Sequence, residues 1–216
     1  MGRRSAPRTR RFVDRVAAGP VDLRIIGGSL RGSKLRYSGD PRTRPMKDRL
    51  REVVFDLVGP AVKGTHAIDL FAGTGALGLE AISRGAATAV LIEQHQPTAR
   101  LIEENAEALG VAARVEVVPG DTFIWARRMR PLNHDRPWIV FCSPPYEFYT
   151  SRLDSMIALL SGLISAAPPA SIFVVETSGK FEFEAVDNRF GWDVRAYAPA
   201  EIGILRTPQT PAPEEN

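Results

Sequence analysis

The chain has 216 residues, 44% of them hydrophobic, which is enough to bury one good core and implies one main domain with appendages. A single cysteine, Cys142, excludes a disulfide within the chain and suits a reducing, cytoplasmic compartment. Charge is unevenly spread: through Glu52 fifteen Lys or Arg face five Asp or Glu, a net of +10, and the remainder carries −7, so the first fifty residues are suited to a nucleic acid or another anionic partner.

Residues 1–22 read as a basic, disordered tail, with arginines but without the apolar stretch of a secretory signal. Leu23 to Ile26 and Lys34 to Tyr37 flank a glycine-rich basic connection, Gly27 to Gly32, and predict a small β-hairpin. Arg42 to Pro45 reads as a loop. From Met46 the apolar positions Leu50, Val53, Val54, Leu57 and Val58 recur at helical spacing. Residues 23–60 are thus expected to form an N-terminal unit of hairpin and helix. Residues 61–206 then alternate: strand His66–Phe71, helix Ala76–Arg84, strand Thr88–Glu93, helix Thr98–Leu109, strands Arg114–Val118 and Trp138–Cys142, helix Arg152–Ser165, strand Ser171–Glu176. Such alternation predicts an α/β fold with a doubly wound, mainly parallel sheet. Trp192–Tyr197 and Glu201–Leu205 are expected to close it as an antiparallel pair, and 207–216 to be a loose, proline-rich tail. The uncharged span Met156–Val175 is broken by Pro168-Pro169 into helix, turn and strand, so no membrane segment is expected.

Two segments carry chemistry. The first is strand, glycine loop and helix in succession: Asp69-Leu-Phe71-Ala-Gly73-Thr74-Gly75-Ala-Leu-Gly78. Glycines let a ligand approach the backbone, and the helix start supplies free N–H groups. No Gly-Lys-Ser/Thr follows, which excludes a P-loop. Glu93 ends the next strand, where a carboxylate can accept from both hydroxyls of a ribose. That pattern fits NAD or S-adenosylmethionine; Asp69, suited to a ligand ammonium group, and the second segment favour the latter. This second segment is Ser143-Pro144-Pro145-Tyr146, directly after the strand Trp138–Cys142. Two prolines cannot extend a central strand, so the chain must leave the sheet there. Ser143 Oγ and a proline carbonyl can accept the two hydrogens of an amino group while Tyr146 stacks on its ring. His66, His95 and His134 have no ligand spacing with Cys142, so no metal is expected.

The glycine-loop stretch Asp69–Ala86, together with Arg24-Ile-Ile-Gly-Gly28, Arg31-Gly32, Arg44-Pro45 and Asp48-Arg49-Leu-Arg51-Glu52-Val-Val-Phe55, resembles the RsmD family over roughly residues 23–205. Its members are bacterial S-adenosylmethionine-dependent methyltransferases that modify guanine N2 in small-subunit (16S) ribosomal RNA. The resemblance implies a class I methyltransferase with a Rossmann-like sheet and a small RNA-contacting N-terminal extension. It implies that Asp69, Gly73, Thr74, Gly75 and Gly78 surround the methionine part of the cofactor, Glu93 its ribose, and Asp121 with Thr122 its adenine, with Phe71 also among the cofactor-binding residues. A capping role for Asp121 at the segment after it stands beside that reading. Ser143, Pro144, Pro145 and Tyr146 would form the catalytic acceptor loop. Arg24, Arg31, Lys34, Arg36, Arg44, Arg49 and Arg51 would contact RNA, as naked ribosomal RNA or an assembling small subunit, with the enzyme acting as a cytoplasmic monomer.

One departure is that members usually carry Asp where this chain has Ser143, and Ser-Pro-Pro-Tyr is a spelling familiar from cytosine-N4 DNA methyltransferases. Two further readings therefore stay open: a DNA amino-methyltransferase acting on cytosine N4 or adenine N6, and a non-catalytic RNA-binding or ribosome-assembly protein on the same fold.

Overall fold

A computed structural model describes residues 23–40, 45–128, 134–179, 181–186 and 189–209. The expected tail 1–22, most of the tail 207–216, and Arg44 lie outside them.

In chain order the elements are α1 (Asp48–Val58), β1 (His66–Asp69), α2 (Ala76–Ser83), β2 (Thr88–Glu93), α3 (Gln96–Ala108), β3 (Val115–Pro119), α4 (Thr122–Arg128), β4 (Trp138–Cys142), α5 (Phe148–Ser151), α6 (Leu153–Ala166), β5 (Ile172–Thr177), β6 (Asp193–Tyr197) and β7 (Ala200–Arg206). The seven strands lie in the order β3-β2-β1-β4-β5-β7-β6. β1 to β5 are parallel; β7 runs antiparallel to β5 and pairs with β6 at the edge. From β1 the chain winds outward through β2 and β3, then returns to place β4 on the other side of β1. The reversal falls between β1 and β4, the place where open α/β sheets bind ligands at the strands' carboxyl ends.

Because successive side chains on a strand face opposite ways, the buried strands build two cores at once. Ile139 and Phe141 of β4 pack with Ala67, Leu91 and Val174 under α1, α2 and α3. Trp138, Val140 and Cys142 pack with Ile68, Ile92 and Phe173 under α4 and α6. The apolar pattern shows neither α4 nor α5, which span seven and four residues, too short for a repeat to emerge; the capping reading of Asp121 is the one sequence sign of α4.

The N-terminal unit differs from the expected hairpin. Its two arms do meet, through an Arg24–Lys34 bridge and backbone bonds from Leu35 to Leu23 and from Ile25 to Ser33, but no strands form. The amides of Ile26 and Gly27 are engaged elsewhere, donating to the Glu80 carboxylate of α2 at 2.9 and 2.8 Å. Glu80 is fully buried and also accepts from Arg51 Nε of α1 at 3.2 Å and Arg84 Nε at 2.9 Å. Arg51 is equally buried, and its guanidinium reaches the Arg24 carbonyl and Asp48 as well. The basic segment is thus bolted onto α2 by a desolvated ion cluster, and Leu23, Ile25, Leu35 and Phe55 join the main core.

Removing one partner of a buried ion pair leaves the other charge uncompensated. Glu80→Ala should therefore destabilise the fold by about 3–5 kcal/mol, read as a lower urea midpoint, and Arg51→Met combined with Glu80→Leu should recover only the part owed to Arg51, since the Ile26 and Gly27 amides stay unpaired.

Candidate active site

Asp69 ends β1 in register with Leu91 of β2 and Phe141 of β4. The chain then turns through the glycine loop, with Gly75 in the left-handed region (φ 75°) at the start of α2. Gly78 permits close packing of α2 on the sheet: a Cβ there would lie 2.7 Å from Leu91 Cγ. Its amide donates to Asp69 Oδ2 at 3.1 Å. Asp69 Oδ1, by contrast, is buried with no hydrogen-bond partner among the described residues. Burial pushes the Asp69 carboxyl up to about 7 against the pull of the Gly78 N–H; the charge of Glu93 adds to the rise, and the Phe71 N–H, too far for a full hydrogen bond, opposes it weakly. A buried carboxylate oxygen without a donor, beside a glycine loop, fits a ligand that brings its own ammonium group.

Glu93 holds this loop in place. Oε2 accepts from Gly73 N at 2.8 Å and Oε1 from His95 N at 2.7 Å, so both oxygens keep a lone pair for ribose hydroxyls. Burial raises its pKa, while the same two N–H groups oppose the rise. Across the sheet edge Gly120 N bonds the Glu93 carbonyl and brings Asp121 close. Asp121 Oδ1 caps α4, accepting from Phe123 N at 2.8 Å and Ile124 N at 3.1 Å, and Oδ2 lies 3.4 Å from Arg152. The buried Thr122 hydroxyl donates to the Leu70 carbonyl. Phe71, Phe123 and Phe148 cluster here at centroid distances of 6.0 to 6.1 Å, with the Arg152 guanidinium over two of the rings. Phe148 and Arg152, which carry no sequence signal of their own, complete this aromatic cluster.

On the other side of the reversal point, Cys142 of β4 pairs with Val175 of β5, which sets Ser143 opposite Glu176. The Ser143 hydroxyl donates to Glu176 Oε2 and the Tyr146 phenol to Oε1, the latter at 2.7 Å. Burial and the Glu176 carboxylate keep the Tyr146 phenol protonated well above its ordinary range. Tyr149 fixes the backbone beneath, donating to the Glu176 carbonyl at 2.8 Å. Pro144 is buried, and the Pro145 carbonyl accepts from Phe148 N at 2.9 Å, which leaves it one lone pair. Ser143 and Glu176 meet Met46, Leu77 and Ile202 at a closed apolar crevice too tight to admit a water. Glu176 is a site residue that the sequence motifs do not single out. Its signal is nonetheless present, since it closes a predicted strand at the same sheet edge.

The basic residues separate into two groups. Arg24, Arg31, Lys34, Arg36 and Arg49 are exposed, Arg24 beside Asp48 at 3.5 Å and Arg36 on Glu104 at 2.6 Å. Arg51 was expected on the RNA face but is sealed against Glu80, because a helix position that looks charged in sequence faces the domain contact. Among the described residues no cluster of His, Cys, Asp and Glu could hold a metal, and no helix is long and apolar enough to cross a membrane.

Folded Asp69 keeps its proton to about 7 where an ordinary Asp releases it near 3.8. Its contribution to the stability of the ligand-free protein is therefore complete below that ordinary value and is lost as pH rises through about 7. An ammonium ligand prefers the ionised carboxylate, so affinity for S-adenosylmethionine should rise by up to about tenfold per pH unit below pH 7 and fall again once the ligand's own amine loses its proton at about 8. Calorimetric titration across that range should show this slope in the parent and a weak, flat response in Asp69→Asn.

The family described as Conserved hypothetical protein 95 matches residues 23–196. The Ribosomal RNA small subunit methyltransferase D of Escherichia coli strain K12 is 39% identical over 158 residues, 73% of this chain and 76% of its own length. The enzyme of the same name from Buchnera aphidicola of Acyrthosiphon pisum is 35% identical over 122 residues, 56% of this chain and 62% of its own. Among solved structures, the Escherichia coli protein yhhF superposes with a TM-score of 0.71 at 28% identity, covering 87% of this chain and 99% of that one. An RNA methyltransferase from Salinibacter ruber, solved with S-adenosyl-L-homocysteine, shares the fold at a TM-score of 0.54 and 18% identity, over 80% of this chain and 99% of its own. With a class I methyltransferase sheet, a cofactor pocket suited to S-adenosylmethionine and this degree of likeness, the chain belongs to the Conserved hypothetical protein 95 family, which is the RsmD family of S-adenosylmethionine-dependent methyltransferases.

Proposed function

We propose that the protein is a cytoplasmic, monomeric enzyme that methylates the N2 amine of a guanine in small-subunit ribosomal RNA. The observation that carries the reading is the placement of Ser143–Tyr146 next to β1, so that an amine held by the loop lies beside the pocket headed by Asp69. The names of its relatives support ribosomal RNA as the substrate. The N-terminal unit, residues 23–60, is the proposed RNA-contacting part, and 61–206 the methyltransferase domain.

Asp69, the glycine loop and Glu93 would hold the cofactor, with Asp121, Thr122 and the Phe71–Phe123–Phe148 cluster around its adenine. When bound, it supplies a methyl group already activated by a sulfonium charge, so the protein needs neither a metal nor a strong base. What the protein must supply is orientation. The lone pair of an exocyclic amine is delocalised into its ring, and acceptors on both N–H bonds turn it toward the methyl group. Ser143 Oγ is suited to this, since its own proton is committed to Glu176 and its lone pairs are left to accept. A proline carbonyl of the loop would take the second hydrogen, and Tyr146, 39% exposed, would stack on a base turned out of the RNA. The nitrogen gains the methyl, and the surplus proton leaves to water.

Transfer of tritiated methyl groups to ribosomal RNA and to DNA, followed by nucleoside analysis, tests the reading. N2-methylguanosine in RNA is the expected product; N4-methylcytosine or N6-methyladenine in DNA would instead establish the reading that Ser143 keeps open, and no transfer to either would favour a non-catalytic role.

Ser143→Ala should lower kcat about ten- to thirtyfold with cofactor affinity near normal, equivalent to about 1–2 kcal/mol, and Tyr146→Ala should cost more because stacking is removed too; single-turnover assays read both. Neutralising Arg31, Lys34, Arg36 and Arg49 together should raise the KM for RNA and flatten its log-log salt dependence by up to about 0.7–0.9 for each phosphate that is no longer neutralised. An unchanged salt slope would place the RNA on another face.

A further inference from the structure

Glu176 is nine-tenths buried at the acceptor site, with 9% of its surface exposed. Burying a carboxylate at the mouth of a pocket is costly unless donors meet it. Two hydroxyls do so, Ser143 on Oε2 and Tyr146 on Oε1, but each oxygen can accept more than one hydrogen bond. Both donors come from the loop proposed to receive the target base, so the carboxylate lies within one side chain of that base from either direction.

The exocyclic amines of the three candidate bases differ in what stands beside them. On guanine, the N2 amine neighbours N1–H, so the edge offers two parallel donors. On cytosine and adenine, the amine neighbours an unprotonated ring nitrogen, whose lone pair faces whatever holds the amine. A carboxylate matches two donors and repels a donor next to a lone pair. Serine alone accepts from all three amines equally well.

We propose that Glu176 is the residue that selects guanine: its carboxylate accepts from N1–H while Ser143, oriented by the same carboxylate, accepts from N2–H. The inference rests on the guanine-N2 reading and adds to it the group that makes the choice of base. It divides the labour of the loop, with Ser143, a proline carbonyl and Tyr146 holding an amine on a flat ring and Glu176 deciding which ring.

The test uses 2-aminopurine, which keeps the N2 amine but has a lone pair in place of N1–H. The methylated position is first mapped by nucleoside analysis in a small-subunit ribosomal RNA fragment, and the fragment is then made with either guanine or 2-aminopurine there. For the parent enzyme, single-turnover kcat/KM should favour guanine by about 10- to 100-fold. Glu176→Gln, whose amide can donate to the lone pair, should lose activity on guanine and bring the two substrates to within about threefold of each other. Glu176→Asp, keeping the charge, should retain part of the preference. Cofactor affinity and urea midpoint should stay near the parent's in both variants.

A parent enzyme that treats the two RNAs alike overturns the proposal without recourse to any variant. Equal losses on both RNAs in Glu176→Gln also overturn it, since they would show a structural role. If mapping finds no N2-methylguanosine at all, the functional reading falls first and this inference with it, a result distinct from guanine methylation that ignores N1–H.

Discussion

The buried carboxylate of Glu80 is the group on which the arrangement of the molecule depends. Taking one charge into the interior obliges the fold to bring donors to it, and they arrive from three separate pieces of chain: the Ile26 and Gly27 amides, Arg51 of α1 and Arg84 at the end of α2. No one of these segments could satisfy the group alone. The N-terminal unit consequently has a fixed seat, and α1 lies over the sheet face at Phe141 through Phe55, at a centroid distance of 5.6 Å. That seat brings Met46, just before α1, to the crevice beside Ser143 and Glu176. A segment whose composition suggests an RNA-binding appendage thereby also packs against the residues beneath the Ser143–Tyr146 loop.

The second constraint is the reversal of strand order between β1 and β4. It puts the ends of two strands with different jobs side by side: Asp69 closes one, and Cys142, just before Ser143, closes the other. Parallel register extends the logic outward. Glu93 and Asp121 follow at the β2 and β3 ends, and Glu176 at the β5 end. The candidate site is therefore a row of strand ends in which each carboxylate has a different environment. Asp69 has an oxygen without a donor, Glu93 is held by backbone amides, and Glu176 is held by hydroxyls.

What could be read from the sequence follows the same physics. β2 and β4 emerge with their expected bounds because they are short apolar runs cut off sharply, β4 by two prolines that cannot continue a ladder. The closing pair β6 and β7 is likewise visible as two short stretches on either side of a proline bend. Local patterns do not encode register or partner. Glu176 gains its meaning from lying beside Ser143 across 33 residues of sequence, and no spacing rule pairs them. Arg51 misleads for the converse reason: a basic residue in a basic segment looks solvated until the helix is seated, and its partner is 29 residues away. The expected hairpin stops at a single bridge because the Gly27 amide, next in line to face the other arm, goes to Glu80, remote in sequence, while Ser33 N turns back to the Leu30 carbonyl. Asp121 shows how one residue satisfies a local rule and remains available to a distant one, capping α4 with one oxygen while the other faces Arg152.

The hydroxyl bond from Tyr146 to Glu176 bears on how a base would be received. A tyrosine on a loop ordinarily samples several rotamers, and a stacking partner must freeze one of them at an entropic cost of about 0.5–1.5 kcal/mol. Here the phenol is tethered at its far end, so the ring plane is set by folding before any ligand arrives. Encounter with an extruded base then resembles docking onto a fixed shelf more than closing a hand around it. The dissociation rate, rather than the entry rate, becomes the quantity that the rest of the pocket is left to adjust.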